Sequence, residues 1–426
     1  MFSPTRCSHG VTCLSILLIS TASLTRAKDW TEFRGSAGQG DAGAVALPTS
    51  WGPSTNVVWK TKVPGSGWSS PVVVGGRIYV TSAVPIGGED LPTADRSLRV
   101  MAVDAADGKL IWNEEVFLQK AADAPKIHKK NSHASPTIVF SEGQLIAHFG
   151  HRGTACLDAG SGSILWRNSE LKYAPVHGNG GSPVIVDDLV IFNADAATDP
   201  AVVALSKKTG KLQWKFARQS GAQRKFSFST PLLIEVDGKR QLITPGSGVV
   251  NALDPVSGVE IWRFNYDQGY SVVPRPIFTQ GLVVLSTGYD SPRALAIRPD
   301  GKGDVTATHL AWEITKRAPH NPSMVAVGDL LYMVADNGVM SCVEAKSGEV
   351  VWEERACGPI SASLLHAGGK IYLQDEAGLG VVVKAGRMFQ IISKNDLKER
   401  SLASVSVCDQ HLIIRTLEHL YRIGTP

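Results

Sequence analysis

Long runs of one kind are what this sequence lacks. Lysine and arginine number 43 against 39 aspartates and glutamates, and basic residues cluster no further than pairs such as Lys129-Lys130. A nucleic-acid footprint or an anionic-membrane patch requires a field of one sign, so neither partner is expected. No apolar stretch approaches the roughly 20 residues that a membrane-spanning helix requires. Cysteine is scarce, six in 426 residues, and such a density does not suit the disulfide framework of a small secreted domain. With 43% hydrophobic and 19% charged residues, 42 glycines and 23 prolines, the remainder describes a globular, turn-rich protein with a large core.

The first 27 residues read as an export leader. Arg6 supplies the positive start, Val11 to Ser23 a short apolar stretch, and Thr25-Arg26-Ala27 the small residues of a cleavage site, placed here after Ala27. Cys13 precedes the apolar core instead of following it, which argues against a lipid anchor. The mature chain is therefore expected to be exported, periplasmic or extracellular, with no membrane span. Its cysteines are Cys156, Cys342, Cys357 and Cys408.

Internal repetition carries the fold. Asp104-Ala-Ala-Asp-Gly-Lys-Leu-Ile-Trp112, Asp158-Ala-Gly-Ser-Gly-Ser-Ile-Leu-Trp166, Ser206-Lys-Lys-Thr-Gly-Lys-Leu-Gln-Trp214, Asp254-Pro-Val-Ser-Gly-Val-Glu-Ile-Trp262 and Glu344-Ala-Lys-Ser-Gly-Glu-Val-Val-Trp352 share one frame, with Gly at offset four and Trp at offset eight. Weaker copies begin at Arg298, Lys384 and Arg422, so the frame occurs eight times at spacings of 38 to 54 residues. Ahead of the frame stand hairpins such as Ser70-Pro-Val-Val-Val-Gly-Gly-Arg-Ile-Tyr-Val80, two β-branched-rich runs around a turn. Within it, the leading Asp or Ser accepts backbone N–H bonds and the fixed Gly supplies a positive φ. Four strands per repeat predict an all-β, eight-bladed β-propeller of four-stranded antiparallel blades. The Trp series (59, 112, 166, 214, 262, 312, 352) follows the repeat and is expected to pack between blades.

Closure is expected from the chain's two ends. The last copy stops at His419-Leu-Tyr-Arg-Ile-Gly424, where its fourth strand is due, while Asn56-Val-Val-Trp59-Lys-Thr-Lys-Val63 is a Trp-bearing strand without its first three partners. Pairing them completes one blade and removes the open edges of the ring. Residues 28–55 are then an extended N-terminal segment and 56–424 a single propeller. Cys156 and Cys342 stand four repeats apart, on opposite sides of the ring, beyond disulfide reach.

The Asp, Gly and Trp frame resembles the tryptophan-docking repeat of quinoprotein alcohol dehydrogenases and of the assembly lipoprotein of bacterial outer membranes. Trp30-Thr-Glu-Phe-Arg-Gly-Ser-Ala-Gly-Gln-Gly40, Leu47-Pro-Thr-Ser-Trp51, Pro64-Gly-Ser-Gly-Trp-Ser-Ser-Pro71 and His177-Gly-Asn-Gly-Gly-Ser-Pro183 resemble exported pyrroloquinoline-quinone (PQQ)-like repeat proteins of planctomycete type. The resemblance spans residues 30 to 424. It implies the fold, and leaves function to the site, because many proteins with this repeat bind no quinone.

The loops between second and third strands and the links between blades emerge on one face. The two largest insertions, Val84 to Ser97 and Phe117 to Asn131, share it. That face is expected to carry a channel mouth of Trp68, His128, Asn131, His133, His151, His177, Asn179, Arg275, His320 and Asn321, with Asp195, Asp290 and Asp336 nearby. The same residues also suit turn capping, and Trp68 packing beneath a loop. No pair has the short spacing of zinc ligands, so no metal is expected. Asp300-Gly-Lys-Gly-Asp304 lacks the further acids of a calcium loop and reads as a widened turn. No nucleophile signature is present. Three functions compete: a non-catalytic binding or scaffold module for a protein, peptide or glycan; a PQQ-dependent dehydrogenase, against which stand the missing adjacent cysteine pair, haem segment and acidic cluster; and a hydrolase or lyase using the histidines. The first is preferred, with no cofactor assigned.

Overall fold

The computed structural model describes residues 1–3 and 29–425, so nearly all of the expected leader lies outside the described residues. Among the described residues no helix is long and apolar enough to cross a membrane. Eight antiparallel four-stranded sheets follow one another. Blade 1 consists of Val72–Val74, Arg77–Pro85, Arg96–Asp104 and Leu110–Gln119, in that order from the channel outward. The inner strands of blades 2 to 8 are Val139–Ser141, Val184–Val186, Leu232–Val236, Ile277–Thr279, Val325–Val327, Leu365–Ala367 and Ser406–Cys408. In blade 1, both residues of the first turn, Gly75 and Gly76, have positive φ (56° and 79°), the conformation that matches the twist of a tight hairpin. Middle strands such as Val249–Leu253 are buried throughout, whereas fourth strands such as Leu212–Ala217 are half-buried on one side and exposed on the other.

The repeat frame is an inter-blade joint. A Cβ on Gly210 would lie 2.5 Å from Trp166 of the preceding blade; Gly108, Gly162, Gly258 and Gly348 stand likewise against Trp59, Trp112, Trp214 and Trp312. At three of these joints the indole N–H also crosses to the same neighbour: Trp59 donates to Ala105 O at 2.9 Å, Trp166 to Lys207 O at 2.8 Å and Trp312 to Ala345 O at 3.0 Å, whereas the Trp112 and Trp214 indoles are buried without such a bond. Blade 5 departs from this rule. Its widened turn at Asp300 to Asp304 sends Gly303–Asp304 to pair in parallel with Trp262 and Arg263 of blade 4. Trp262 therefore donates to Gln241 Oε1 (2.7 Å), and the Gln241 amide continues to Pro299 O (2.9 Å).

The ring closes as its ends require. Val57–Lys62 pairs antiparallel with His419–Ile423 in the register Trp59 to Arg422 and Lys60 to Tyr421. The segment before it does more than lead in. Trp30 exchanges two backbone hydrogen bonds with Val73 of blade 1, and Thr31 O accepts from Phe140 of blade 2. Gln39 Oε1 accepts from Phe278 N of blade 5 at 3.1 Å, and Gly40 O from His366 N of blade 7 at 2.8 Å. Residues 30–42 thus cross the channel on the hairpin-turn face.

Two outcomes test this account. Gly210→Ala combines φ +71° with a clash against Trp166, whereas Gly238→Ala has nearly the same φ, +72°, and open space. The second is expected to cost about 1 kcal/mol and the first at least twice that in denaturant unfolding; equal losses would remove the joint from the glycine's role. A chain without residues 28–63 is expected to scatter light and melt far below the parent, and an unchanged melting temperature would contradict closure.

Candidate binding chamber

Two residues before every inner strand the chain carries Ser70, Thr137, Ser182, Thr230, Arg275, Ser323, Ser363 and Ser404. Seven are hydroxyl residues, and they form a collar. Ser70 N donates to Thr137 Oγ1 (3.0 Å), Thr137 N to Ser182 Oγ (2.9 Å) and Ser182 N to Thr230 Oγ1 (3.0 Å). After the break the pattern resumes from Arg275 N to Ser323 (2.9 Å), Ser323 N to Ser363 (3.1 Å) and Ser363 N to Ser404 (2.9 Å). Arg275 interrupts it. The guanidinium turns to the crossing segment, donating to Phe33 O at 2.6 Å and Pro231 O at 3.0 Å and pairing with Glu32 at 3.0 Å. Burial raises the pKa of Glu32 despite Arg275 beside it.

Above the collar lies a chamber of about 720 Å³, with Phe33 in its floor. One wall is a run of rings in contact: His128 to His177 (5.5 Å between centroids), His177 to Phe226 (5.5 Å), Phe226 to Tyr270 (5.5 Å), Tyr270 to Tyr289 (5.7 Å) and Tyr289 to His320 (5.3 Å). The opposite side is crossed by the link between blades 1 and 2. Lys130 lies 2.8 Å from Glu376 of blade 7 and 3.5 Å from Asp336 of blade 6, and Arg400 donates to Lys129 O at 2.9 Å while its guanidinium sits 5.7 Å from the Trp68 ring. Burial would raise the Glu376 pKa, but bonds from Lys130 and Ser361 override it and leave it lowered.

Of the ten residues expected at the mouth, Trp68, His128, Asn131, His177, His320 and Asn321 line this chamber. The two asparagines serve as ties: Asn131 Nδ2 donates to His177 O at 2.8 Å, and Asn321 donates to Asp336, whose Oδ1 also accepts the backbone N–H groups of His320 and Asn321. The other four lie elsewhere. Arg275 is buried in the floor. His133 faces the loop organised by Arg96 and Asp90, because the extended second and third strands of blade 1 draw it outward. His151 and Asn179 contact each other at 3.3 Å beside a pocket of only about 10 Å³, lined also by Asp195, Tyr173 and His148. Sequence reading overlooked Arg224, Phe226, Tyr270 and Tyr289. Arg224, Phe226 and Tyr270 stand in links to the next blade, just ahead of Thr230-Pro231 and Val273-Pro274, as His177 stands ahead of Ser182-Pro183, so repeat position would have found them where a search for polar types did not.

The donor set decides what the chamber can hold. Among the described residues no three His, Cys, Asp or Glu side chains converge to bind a metal. Collar oxygens already accept N–H groups, Asp336 and Glu376 face Lys130, and the four cysteines are buried and absent from the lining. A hard cation of the kind that accompanies a quinone takes several oxygen ligands, carboxylates foremost, and the lining offers one carboxylate, Asp336, which already faces Lys130. Burial also pushes the Cys156 and Cys342 thiols up to about 11 and Cys357 to about 12, so none is a ready thiolate.

Against known proteins, the family profile described as outer membrane protein assembly factor BamB, built on PQQ-like repeats, matches residues 42–150, 99–306 and 302–396. The chain belongs to this family. Similar curated proteins are the outer membrane protein assembly factor BamB of Yersinia pestis, 23% identical over 369 residues (85% of this chain, 79% of the relative), and that of Shewanella oneidensis, 22% identical over 364 residues (84% and 78%). Among solved structures, BamB from Moraxella catarrhalis superposes with a TM-score of 0.57 at 13% identity, covering 86% of this chain and 99% of its own. Quinohemoprotein alcohol dehydrogenase from Comamonas testosteroni gives 0.54 at 14% identity, covering 95% and 82%. At such identities the likeness establishes the PQQ-like propeller fold, and activity is argued from the site.

A pH dependence follows from the small side pocket. His148 is 2% exposed, stacks on Phe192 at 4.2 Å and shares a hydrogen bond with Thr154 at 2.9 Å; burial, with His151 nearby, lowers its pKa from 6.5 to about 3. The folded pKa lies below the unfolded one, so stability is lost as pH falls below 6.5 and continues to fall towards 3. At about 1.36 kcal/mol per pH unit, the loss by pH 5 is about 2 kcal/mol. His148→Asn should be less stable at pH 7.5 yet lose less between pH 7.5 and 5 in thermal melts; an unchanged pH slope would acquit His148.

Proposed function

We propose that this chain is a non-catalytic exported propeller that binds its ligand in the loop-face chamber and acts as a binding or scaffold module. One observation carries the reading. The acids that reach the mouth from blades 6 and 7, Asp336 and Glu376, both face the Lys130 ammonium, while six rings on the facing wall keep their surfaces towards the chamber. A general base or metal ligand must be free to take a proton or a cation, whereas a recognition wall needs apolar faces and fixed polar groups. Burial, followed by His177, Lys129 and Lys130, lowers the His128 pKa, which favours a neutral ring at neutral pH. The relatives named as outer membrane protein assembly factors support a role outside the cytoplasm among exported proteins or envelope polymers.

The test is equilibrium dialysis of the mature protein against a panel of cell-wall glycan fragments and periplasmic peptides. At least one class should bind, and the His177→Ala, Tyr270→Ala double variant should weaken it tenfold or more while melting near the parent. Binding indifferent to that variant would move the site off the chamber, and turnover of the bound molecule would favour a hydrolase or lyase.

A further inference from the structure

The collar has a polarity that selects a ligand. Thr137, Ser182, Thr230, Ser363 and Ser404 all line the chamber, and each accepts an N–H from the neighbouring blade. A hydroxyl has one hydrogen to give and oxygen lone pairs to receive. Among the described residues none of these five donates its hydrogen to a protein acceptor, so each keeps an O–H to give while one of its two lone pairs is already engaged. The mouth adds cations of the same sense. Arg224 and Lys129 line the chamber, and among the described residues no carboxylate within 4.0 Å pairs with either; the Arg224 guanidinium instead lies 4.7 Å from the centroid of Tyr270. Among the lining residues Asp336 is the one carboxylate, and it already faces Lys130, Asn321 and the His320 backbone N–H.

The rings supply the second criterion. Successive members stand 47° to 83° to one another and form one continuous run, with Phe33 in the floor and Trp68 beside Arg400 lining the chamber apart from it. Across from them lie Lys130, Asp336 and Ser361. A planar aromatic ligand gains most between two parallel faces, and no two successive rings of the run are parallel. A sugar ring has one apolar face of C–H groups and a rim of oxygens, which suits a one-sided wall opposite polar groups.

We propose that the chamber takes a carboxylate-bearing sugar of a short acidic glycan. The apolar face of its ring lies on the aromatic wall, and its carboxylate and ring oxygens accept from the collar hydroxyls, Arg224 and Lys129. This deepens the chamber-binding reading above and rests on it. The volume, about 720 Å³, falls in the usual range for small-ligand sites, roughly 300–1,000 Å³, and admits only the terminal units of a polymer.

The experiment compares a galacturonic acid trimer with an uncharged galactose trimer, by calorimetry and by the fluorescence of Trp68, using the full mature protein. The acid trimer should bind at least tenfold more tightly, weaken with added salt, and lose tenfold or more with the Arg224→Gln, Lys129→Gln double variant. Tyr270→Leu should weaken both trimers, and thermal melts of each variant verify the fold. Equal binding of the two trimers, still lost in Tyr270→Leu, would overturn the acidic class and leave the chamber intact. Acid-trimer binding untouched by either variant would overturn both, and its failure to bind at millimolar concentration would overturn the acidic class alone, the dialysis panel then judging the chamber.

Discussion

The inner strand of every blade is a sheet edge, and the whole molecule is arranged around satisfying it. Eight edges face one channel, where their backbone N–H and C=O groups have no fifth strand to pair with. A hydroxyl placed two residues before each inner strand takes the N–H of the blade beside it at six of the junctions. At the junction from blade 8 to blade 1, Ser406 Oγ donates to Pro71 O at 2.6 Å instead. Lower down, Trp30, Thr31, Gln39 and Gly40 of the crossing segment serve edges that the collar does not reach. The chamber is what remains between these two devices.

Its asymmetry has a traceable origin. An eight-fold collar would offer equivalent positions to whatever lay beneath it. Arg275 breaks that equivalence, and its guanidinium fixes the crossing segment through Phe33 O and Glu32. On the other rim, Lys130 reaches from the first interblade link to acids of blades 6 and 7, which spans the ring by charge. Both ties are partly or fully buried, where an ion pair is costly to break even when it adds little net stability. They serve position more than strength.

The periodic features were legible in the sequence because each repeats a physical requirement. Gly at offset four and Trp at offset eight mark one joint, and the unpaired strand around Trp59 announced closure. What repetition could not convey was departure from it. The widened turn at Asp300 to Asp304 reads as a loop, yet two of its residues join the neighbouring sheet, a contact between blades that no local pattern encodes. The site was half legible for a related reason. His128, His177 and His320 were found as polar residues at interblade links, but the surface they belong to is aromatic, and its Phe226, Tyr270 and Tyr289 members resemble ordinary core residues until the ring is closed. Arg275 was read as facing the mouth because its repeat position does so, although a long side chain can turn towards a floor that exists only when residues 30–42 are in place.

The composite last blade has a consequence for the order of events in the life of the chain. Val57–Lys62 finds its partner only in His419–Ile423, so the earliest strand of the propeller to be synthesised waits for the latest. Blades 1 to 7 contain all their own strands and can form in succession, but the clasp stays open until synthesis of the last strand is finished. Until then the outer edge of blade 8 remains unpaired. A chain built this way gains a closed ring with no terminal caps, and in return it depends on being delivered whole.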